Sequence, residues 1–521
     1  MSSQLGLAKV LIAPYNVLSW LYKPLFNVLR QRHGTRFVLL IPEGTDLASE
    51  YQPFLADDDE IVEVPDFDVM AERIGQPADA KSALRVAREI EDRYDISILQ
   101  DILQQERTFA GAFVEAAKNN LFEKADAPDM AHLAATVTAF FDFYEHLFAR
   151  LQLDAVLLWP RTAHEAVGAL VAAQRGLLVT YPYTAKHRNF AYWASGPYCT
   201  AYQHTRAFEN APAATEVELH EILPPGRPVH LQHGQFDARH SFSSMLKEFL
   251  RHCFFYLEFF VLDVRRGRLF KVKRRPMREV LGKIVHDWWY YRKFVRLCER
   301  DTRELTSQRF VLFAFQAEPE FSVQARCKEF NDQRAVVRQL ALSLPADVRL
   351  VIKEHAFIGD RRLPFYEELV SLPNVVMAHP GISALELIPH CEAVASLAGT
   401  VTIEAGLHGK PAIIFGPRSE FAFLPHVYNV DSFRDLAAVL KRVTIPREGA
   451  TELEYRRNAS RMLLAIESIG VNAEPFYSRR SMEIEPEIVE RAAELLVALR
   501  EAHRTEAASG NSMLEQIGVS D

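Results

Sequence analysis

The sequence offers no cysteine framework, no long apolar run and no excess of positive charge. Its five cysteines, Cys199, Cys253, Cys298, Cys327 and Cys391, are far apart and odd in number, with no Cys-x-x-Cys. Such spacing argues against a disulfide scaffold and against a thiolate zinc site, and it fits a reducing cytoplasm. The longest apolar stretch, Cys253 to Leu262, contains Glu258 and falls far short of the ~20 residues of a spanning helix. Lys9, Pro14 and Lys23 interrupt the apolar patches near the start and no small-residue cleavage site follows, so no signal peptide is expected. Lys and Arg number 60 against 68 Asp and Glu, a net charge of −8. That balance removes the global cationic field on which nucleic-acid binding relies. HExxH is missing, and the close pair His230 and His233 has no metal motif around it, so no metal is expected.

What is present is a soluble, globular composition: 521 residues, 49% hydrophobic and 25% charged, enough for two to four domains. Short β-rich runs alternate with helix-length segments twice over. The first series is Val10 to Ala13, Phe37 to Ile41, Ile61 to Val64, Ala155 to Trp159 and Leu178 to Thr180. The second is Phe310 to Phe315, Val348 to Ile352, Val375 to Ala378, Ala393 to Ser396 and Ala412 to Phe415. This alternation predicts two parallel-sheet α/β domains, over 1–240 and 306–440. Helical patterns fill 80–125 and 130–151 in the first. Between the domains, 241–305 reads as helices rather than strands, broken at Pro276. Helices return over 441–503, packing back on the domains, and 504–521 reads as a disordered tail. The mean charge hides one exception. Asp263 to Arg300 holds thirteen bases and four acids, +9, which leaves −17 on the rest.

Four polar segments follow predicted strands, where open α/β sheets bind ligands. In Ser396-Leu-Ala-Gly-Thr-Val-Thr-Ile-Glu404, Gly399 permits a tight turn and Thr400 can cap a helix over 401–407. Its N-terminus, with Thr400 and Thr402, suits a phosphate, and Glu404 suits ribose hydroxyls. An ordinary strand-turn-helix is the competing reading. Lys353-Glu-His355 follows a strand as a nucleotide contact or a solvated loop, and Gln316, Glu318 and Glu320 form another such loop, in which the two acids read more simply as surface charge. His164 and Glu165 are candidates for general base or acceptor orientation, while Thr162 and Glu165 have capping-box spacing. Weaker polar loops run from Tyr181 to Asn189, with Arg188, and from His230 to Gln235. The acidic run Asp57 to Glu60 reads as a solvated turn. Trp288 and Trp289 lie among Arg265, Arg266, Lys273, Arg274 and Arg275 in the basic strip. That composition suits an anionic membrane surface or an anionic acceptor, and equally an interdomain helical hairpin with solvated bases.

Together and in order, Gln316-Ala-Glu-Pro-Glu320, Lys353-Glu-His-Ala356, Leu397-Ala-Gly-Thr-Val-Thr-Ile-Glu-Ala405 and Gly409-Lys-Pro411 resemble the capsule polysaccharide biosynthesis family of bacterial glycosyltransferases, relatives of the capsule Kdo transferases. Three positions depart from that pattern: Gln316 for His, Ala398 for Thr and Ala356 for Pro. The resemblance implies an α/β fold of two Rossmann-like domains facing a cleft, the glycosyltransferase B type, with a helical insertion. It implies a metal-independent enzyme with no cofactor beyond its co-substrate. That enzyme moves a sugar from a CMP- or UDP-linked donor to a capsule or other surface-glycan or glycolipid acceptor. Gln316, Glu320, Lys353, His355, Ser396, Gly399, Thr400, Thr402 and Glu404 would bind donor, and His164 or Glu165 would assist the acceptor. The expected place is the cytoplasm, peripheral at the inner membrane. A nucleotide-sugar epimerase or polyol-phosphate transferase of the same architecture, and a non-catalytic glycan-assembly scaffold, remain the alternatives.

Overall fold

A computed structural model describes residues 7–14, 21–106, 129–185, 190–198, 202–213, 240–265, 277–318, 320–355, 361–416, 419–473 and 485–509. The first sheet takes β1 (Lys9–Ile12), β2 (Arg36–Pro42), β3 (Glu60–Val64), β4 (Ala155–Leu157), β5 (Leu178–Thr184) and β6 (Phe190–Ser195). The second takes β7 (Cys298–Glu299), β8 (Phe310–Ala314), β9 (Arg349–Lys353), β10 (Val375–Ala378), β11 (Ala393–Ser396), β12 (Ala412–Phe415) and β13 (Val427–Val430). The chain then returns as β14 (Gly470–Asn472) to the free edge of β6 in the first sheet.

The strand orders are β14-β6-β5-β4-β1-β2-β3 and β13-β12-β11-β8-β9-β10-β7. Every pair in the second sheet is parallel. In the first, β6 alone is reversed, running antiparallel to both β5 and β14. The central strands, such as β8 and β12, are uninterrupted apolar runs because both faces are covered, as parallel sheets require. Val10, Leu11 and Ile12 are fully buried, with Leu11 in the cluster on one face and Val10 and Ile12 in the cluster on the other. The α/β class with two Rossmann-like units is thus what the chain folds into.

Both sheets reverse their winding direction once, between β1 and β4 in the first and between β8 and β11 in the second. Strand order therefore opens a crevice above β8 and β11, where the loops carrying Gln316 and Gly399 emerge. The two units meet along an apolar seam in which Tyr181 and Tyr192 of the first pack with Phe321, Ile403 and Phe421 of the second. Met462 and Ile466 of the helix Gly449–Ile469 complete that seam.

Several sequence expectations need correction. The helix expected over 80–125 stops at Tyr94, where Asp95 takes a left-handed φ of 51°. Ile98–Ile102 then winds as a π-helical turn. The segment 241–305 is not wholly helical, since β7 adds an edge strand beside β10. The tail is helical as far as Ser509 in the helix Pro486–Ser509. Asp59 is no solvated acid: its side chain is fully buried, pairs with Arg30 and accepts from the Phe37 amide at 2.7 Å. Arg188, His230 to Gln235, Arg266, Lys273, Arg274, Arg275 and Ala356 lie outside the described residues.

Candidate functional site

The loop after β8 is held by side chains rather than by regular structure. Gln333 brackets Gln316, its Oε1 accepting from the Gln316 amide and its Nε2 donating to the Gln316 carbonyl, both at 2.9 Å. The Gln316 side chain reaches the loop after β11, where its Oε1 accepts from the Ala398 amide at 3.3 Å. Gly399 is required by this closeness. A Cβ there would stand 2.7 Å from Ser396 Oγ and 3.1 Å from Gln316 Nε2. Glu320 stands at the N-cap position of the short helix Phe321–Gln324 without a side-chain cap bond, and its carboxylate accepts from the Ser322 hydroxyl at 3.3 Å.

Beneath these loops lies a buried charge network that sequence reasoning missed. The Arg361 guanidinium donates to Glu354 Oε1 at 2.8 Å and to the Gln316 carbonyl at 2.6 Å, and pairs with Glu318 at 3.4 Å. All three side chains are at most 2% exposed. Tyr366 donates to the other Glu354 oxygen, Tyr290 donates to the Arg361 carbonyl, and the His355 amide donates to Glu354 at 2.7 Å. One arginine therefore ties the loops after β8 and β9 together. Glu318, expected as a surface acid, is a buried member of the network. Burial pushes its carboxyl above the usual range, and Arg361 pulls it back.

The other expected donor contacts are placed as follows. Ser396 is buried at the end of β11 and donates to the Ala314 carbonyl at 3.3 Å. Thr400 begins the helix Val401–Leu407 without the expected side-chain cap bond. Thr402 is fully buried and its hydroxyl donates back to Gly399 at 2.9 Å, which leaves that proton unavailable to a phosphate. Glu404 and His355 are half-buried.

Lys353 does not project into solvent. Its ammonium is buried at the end of β9 and donates to the carbonyls of Glu354 and Pro380, both at 3.1 Å. Burial lowers its pKa from 10.5 to about 8, opposed by Glu354 and Cys298. The unfolded chain therefore binds more protons between those two values, so this lysine makes stability rise with pH across that window. Relative to Lys353→Met, the wild-type protein is expected to gain about 2 kcal/mol between about pH 8 and 9.5 in urea unfolding. A pH-independent difference would sink this assignment.

In the first unit, Glu165 opens the helix Ala163–Gln174 at the carboxyl end of β4. Its Oε2 accepts from the Arg161 and Thr162 amides at 3.0 and 3.1 Å, and its Oε1 pairs with the Arg161 guanidinium at 3.1 Å. The capping reading therefore accounts for this carboxylate in full. His164 is buried, with Nδ1 3.3 Å from the Tyr144 hydroxyl, and burial lowers its pKa so that it stays neutral. The strand end that carries His164 and Glu165 meets the second unit where Trp159 packs edge-on against Phe321 at 6.3 Å. Trp288 and Trp289 lie on the helix Met277–Phe294, and Tyr290 of the same helix enters the Arg361 network. Among the described residues no group of three or more His, Cys, Asp or Glu is arranged to hold a metal.

The family model described as capsule polysaccharide biosynthesis protein matches residues 273–423, a stretch that contains all three loops above β8, β9 and β11. No curated protein matches the sequence. Among solved structures, the chain is similar to an S. aureus MnaA–UDP co-structure at 11% identity, covering 92% of this chain and 99% of that one, with a TM-score of 0.27. It is also similar to Thermosulfurimonas dismutans KpsC, a β-Kdo 2,7 transferase, at 15% identity, covering 68% and 89%, with a TM-score of 0.30. A KpsC β-Kdo 2,4 transferase from the same organism gives 14% identity, 58% and 79% coverage and a TM-score of 0.29.

Proposed function

We propose that this chain is a glycosyltransferase that moves a sugar from a nucleotide-sugar donor to a capsule or other surface-glycan acceptor, at the cytoplasmic face of the inner membrane. One observation carries the reading. Three polar loops converge at the switch point of a parallel sheet, are locked to one another by Gln316 and Arg361, and lie within the stretch matched by the capsule biosynthesis model. A crevice of this kind takes a nucleotide with its phosphates toward the strand ends. Gly399 and Thr400 then face phosphate, while Glu404 and His355 face the nucleoside.

In the transfer step the acceptor oxygen bonds to the anomeric carbon as the bond from that carbon to the phosphate oxygen breaks, and the acceptor proton passes to a base. His164 is the better candidate, since both Glu165 oxygens are already taken by the Arg161 and Thr162 amides and the Arg161 guanidinium, whereas an imidazole can take a proton. Glu165 positions the loop. In a thermal-shift panel of CMP, UDP, GDP and CDP, one nucleotide is expected to raise the melting temperature selectively. His355→Ala and Glu404→Ala should abolish that rise, and His164→Ala should keep it while losing transfer. Silence from all four nucleotides would overturn the reading.

A further inference from the structure

The helix Phe242–Arg265 carries an apolar face that the described chain leaves largely exposed. Phe242, Leu246, Leu250, Phe254 and Leu257 are all exposed, Leu250 by 58% and Phe254 by 66%. Their spacings of four, four, four and three keep them within an arc of about 120° on a helix of 3.6 residues per turn. Lys247 and Arg251, both exposed, lie beside this arc on its Phe254 edge, Arg251 within 3.6 Å of Glu248. The neighbouring helix Met277–Phe294 packs against its start through Phe242 and Trp288, at 5.7 Å. That second helix adds an exposed Trp289 with Lys293 over its ring at 5.7 Å and Arg292 over Trp288 at 5.5 Å. In sequence, residues 266–276 between the two helices hold six bases and no acid.

We propose that this face lies on the surface of an anionic lipid bilayer, with the five apolar side chains at the acyl boundary and Lys247, Arg251, Arg292 and Lys293 at the level of the lipid phosphates. A single wide apolar arc edged by bases, together with tryptophans carrying cations, is the pattern of a helix lying in the interface plane. None of the described helices is long and apolar enough to cross a membrane. A second copy of the chain fits less well, because pairing two such faces would set base against base, whereas anionic headgroups neutralise them. The inserting element is thereby moved from the basic strip to the helix before it. The inference rests on helix geometry, and only its place in the cell rests on the transferase reading.

The test is sedimentation of the full chain with vesicles of phosphatidylcholine containing about one third phosphatidylglycerol, against pure phosphatidylcholine. The wild-type protein should bind the anionic vesicles, and added salt should weaken binding. Leu250→Glu/Phe254→Glu should lower partitioning at least about tenfold. Leu342→Glu, at another exposed apolar position on a different helix, should leave it unchanged. Lys247→Glu/Arg251→Glu keeps the apolar face and should also lose anionic binding. Equal partitioning of the wild-type protein and Leu250→Glu/Phe254→Glu overturns the proposal. So does unchanged partitioning with a loss of dimer in light scattering, which would mark the face as a contact between copies. Nucleotide stabilisation measured on the same variants should persist, so failure here and failure of the transferase reading are separable.

Discussion

Arg361→Met is expected to cost the folded protein about 3–5 kcal/mol and to remove its response to nucleotide, because it strands two buried carboxylates. Glu354 and Glu318 are fully or almost fully enclosed, and Arg361 is their shared counter-charge. Tyr366 and Gln333 also donate to these carboxylates but carry no charge. Without the guanidinium, Glu318, already raised by burial and held back by Arg361, rises further, and the folded state binds more protons than the unfolded one above the ordinary carboxylate range. Stability of the variant therefore falls as pH rises through that window, and its deficit should shrink between pH 7 and about pH 5. Arg361→Met/Glu354→Gln/Glu318→Gln, with no charge left to strand, should recover much of the loss in urea unfolding. A triple variant as unstable as the single one would mean that the guanidinium acts mainly through its packing on Phe315 and Phe365, 4.9 and 5.4 Å away.

The same cluster shows where a sequence stops being legible. The strands at the switch point could be read because they are buried on both faces and so are apolar throughout, as in Phe310 to Ala314. β13 could not, since Val427, Tyr428 and Asn429 are partly or fully exposed and break the pattern. β7 and β14 are two and three residues long, too short to show a period. Motif position was legible too: Gln316, Lys353 and Gly399 all sit at strand ends. Their chemistry was not. Whether Glu318 is a surface acid depends on Arg361, which also bonds Gln316 from 45 positions away, and nothing local to either residue announces the pairing. Glu165 is the opposite case. Its capping partners lie three and four residues back, so spacing alone predicted the role that occupies it.

Gly406 lies between these extremes, and it yields the second large effect. A glycine inside a helical pattern signals a close approach, though not of what. A Cβ at Gly406 would stand 2.5 Å from His426 Nε2 and 2.9 Å from the Ala459 Cβ. His426 is fully buried, and burial lowers its pKa to about 4, so the ring is neutral. Since a carbonyl only accepts, the His426 Nε2–H donates to the Thr402 carbonyl at 3.1 Å. Gly406→Val must push the helix Val401–Leu407 away from the helix Gly449–Ile469 and break that bond, at a cost of about 3 kcal/mol. Thr402 and Glu404 ride on the displaced helix, so nucleotide stabilisation should fall with thermal stability. Gly406→Ala combined with His426→Ala removes the nearest obstacle and should be more stable than the sum of the two single changes predicts. Strict additivity would show that the helix yields without touching His426. The glycine would then be set by Ala459, and the contact between the two helices, rather than the histidine bond, would fix where Glu404 stands.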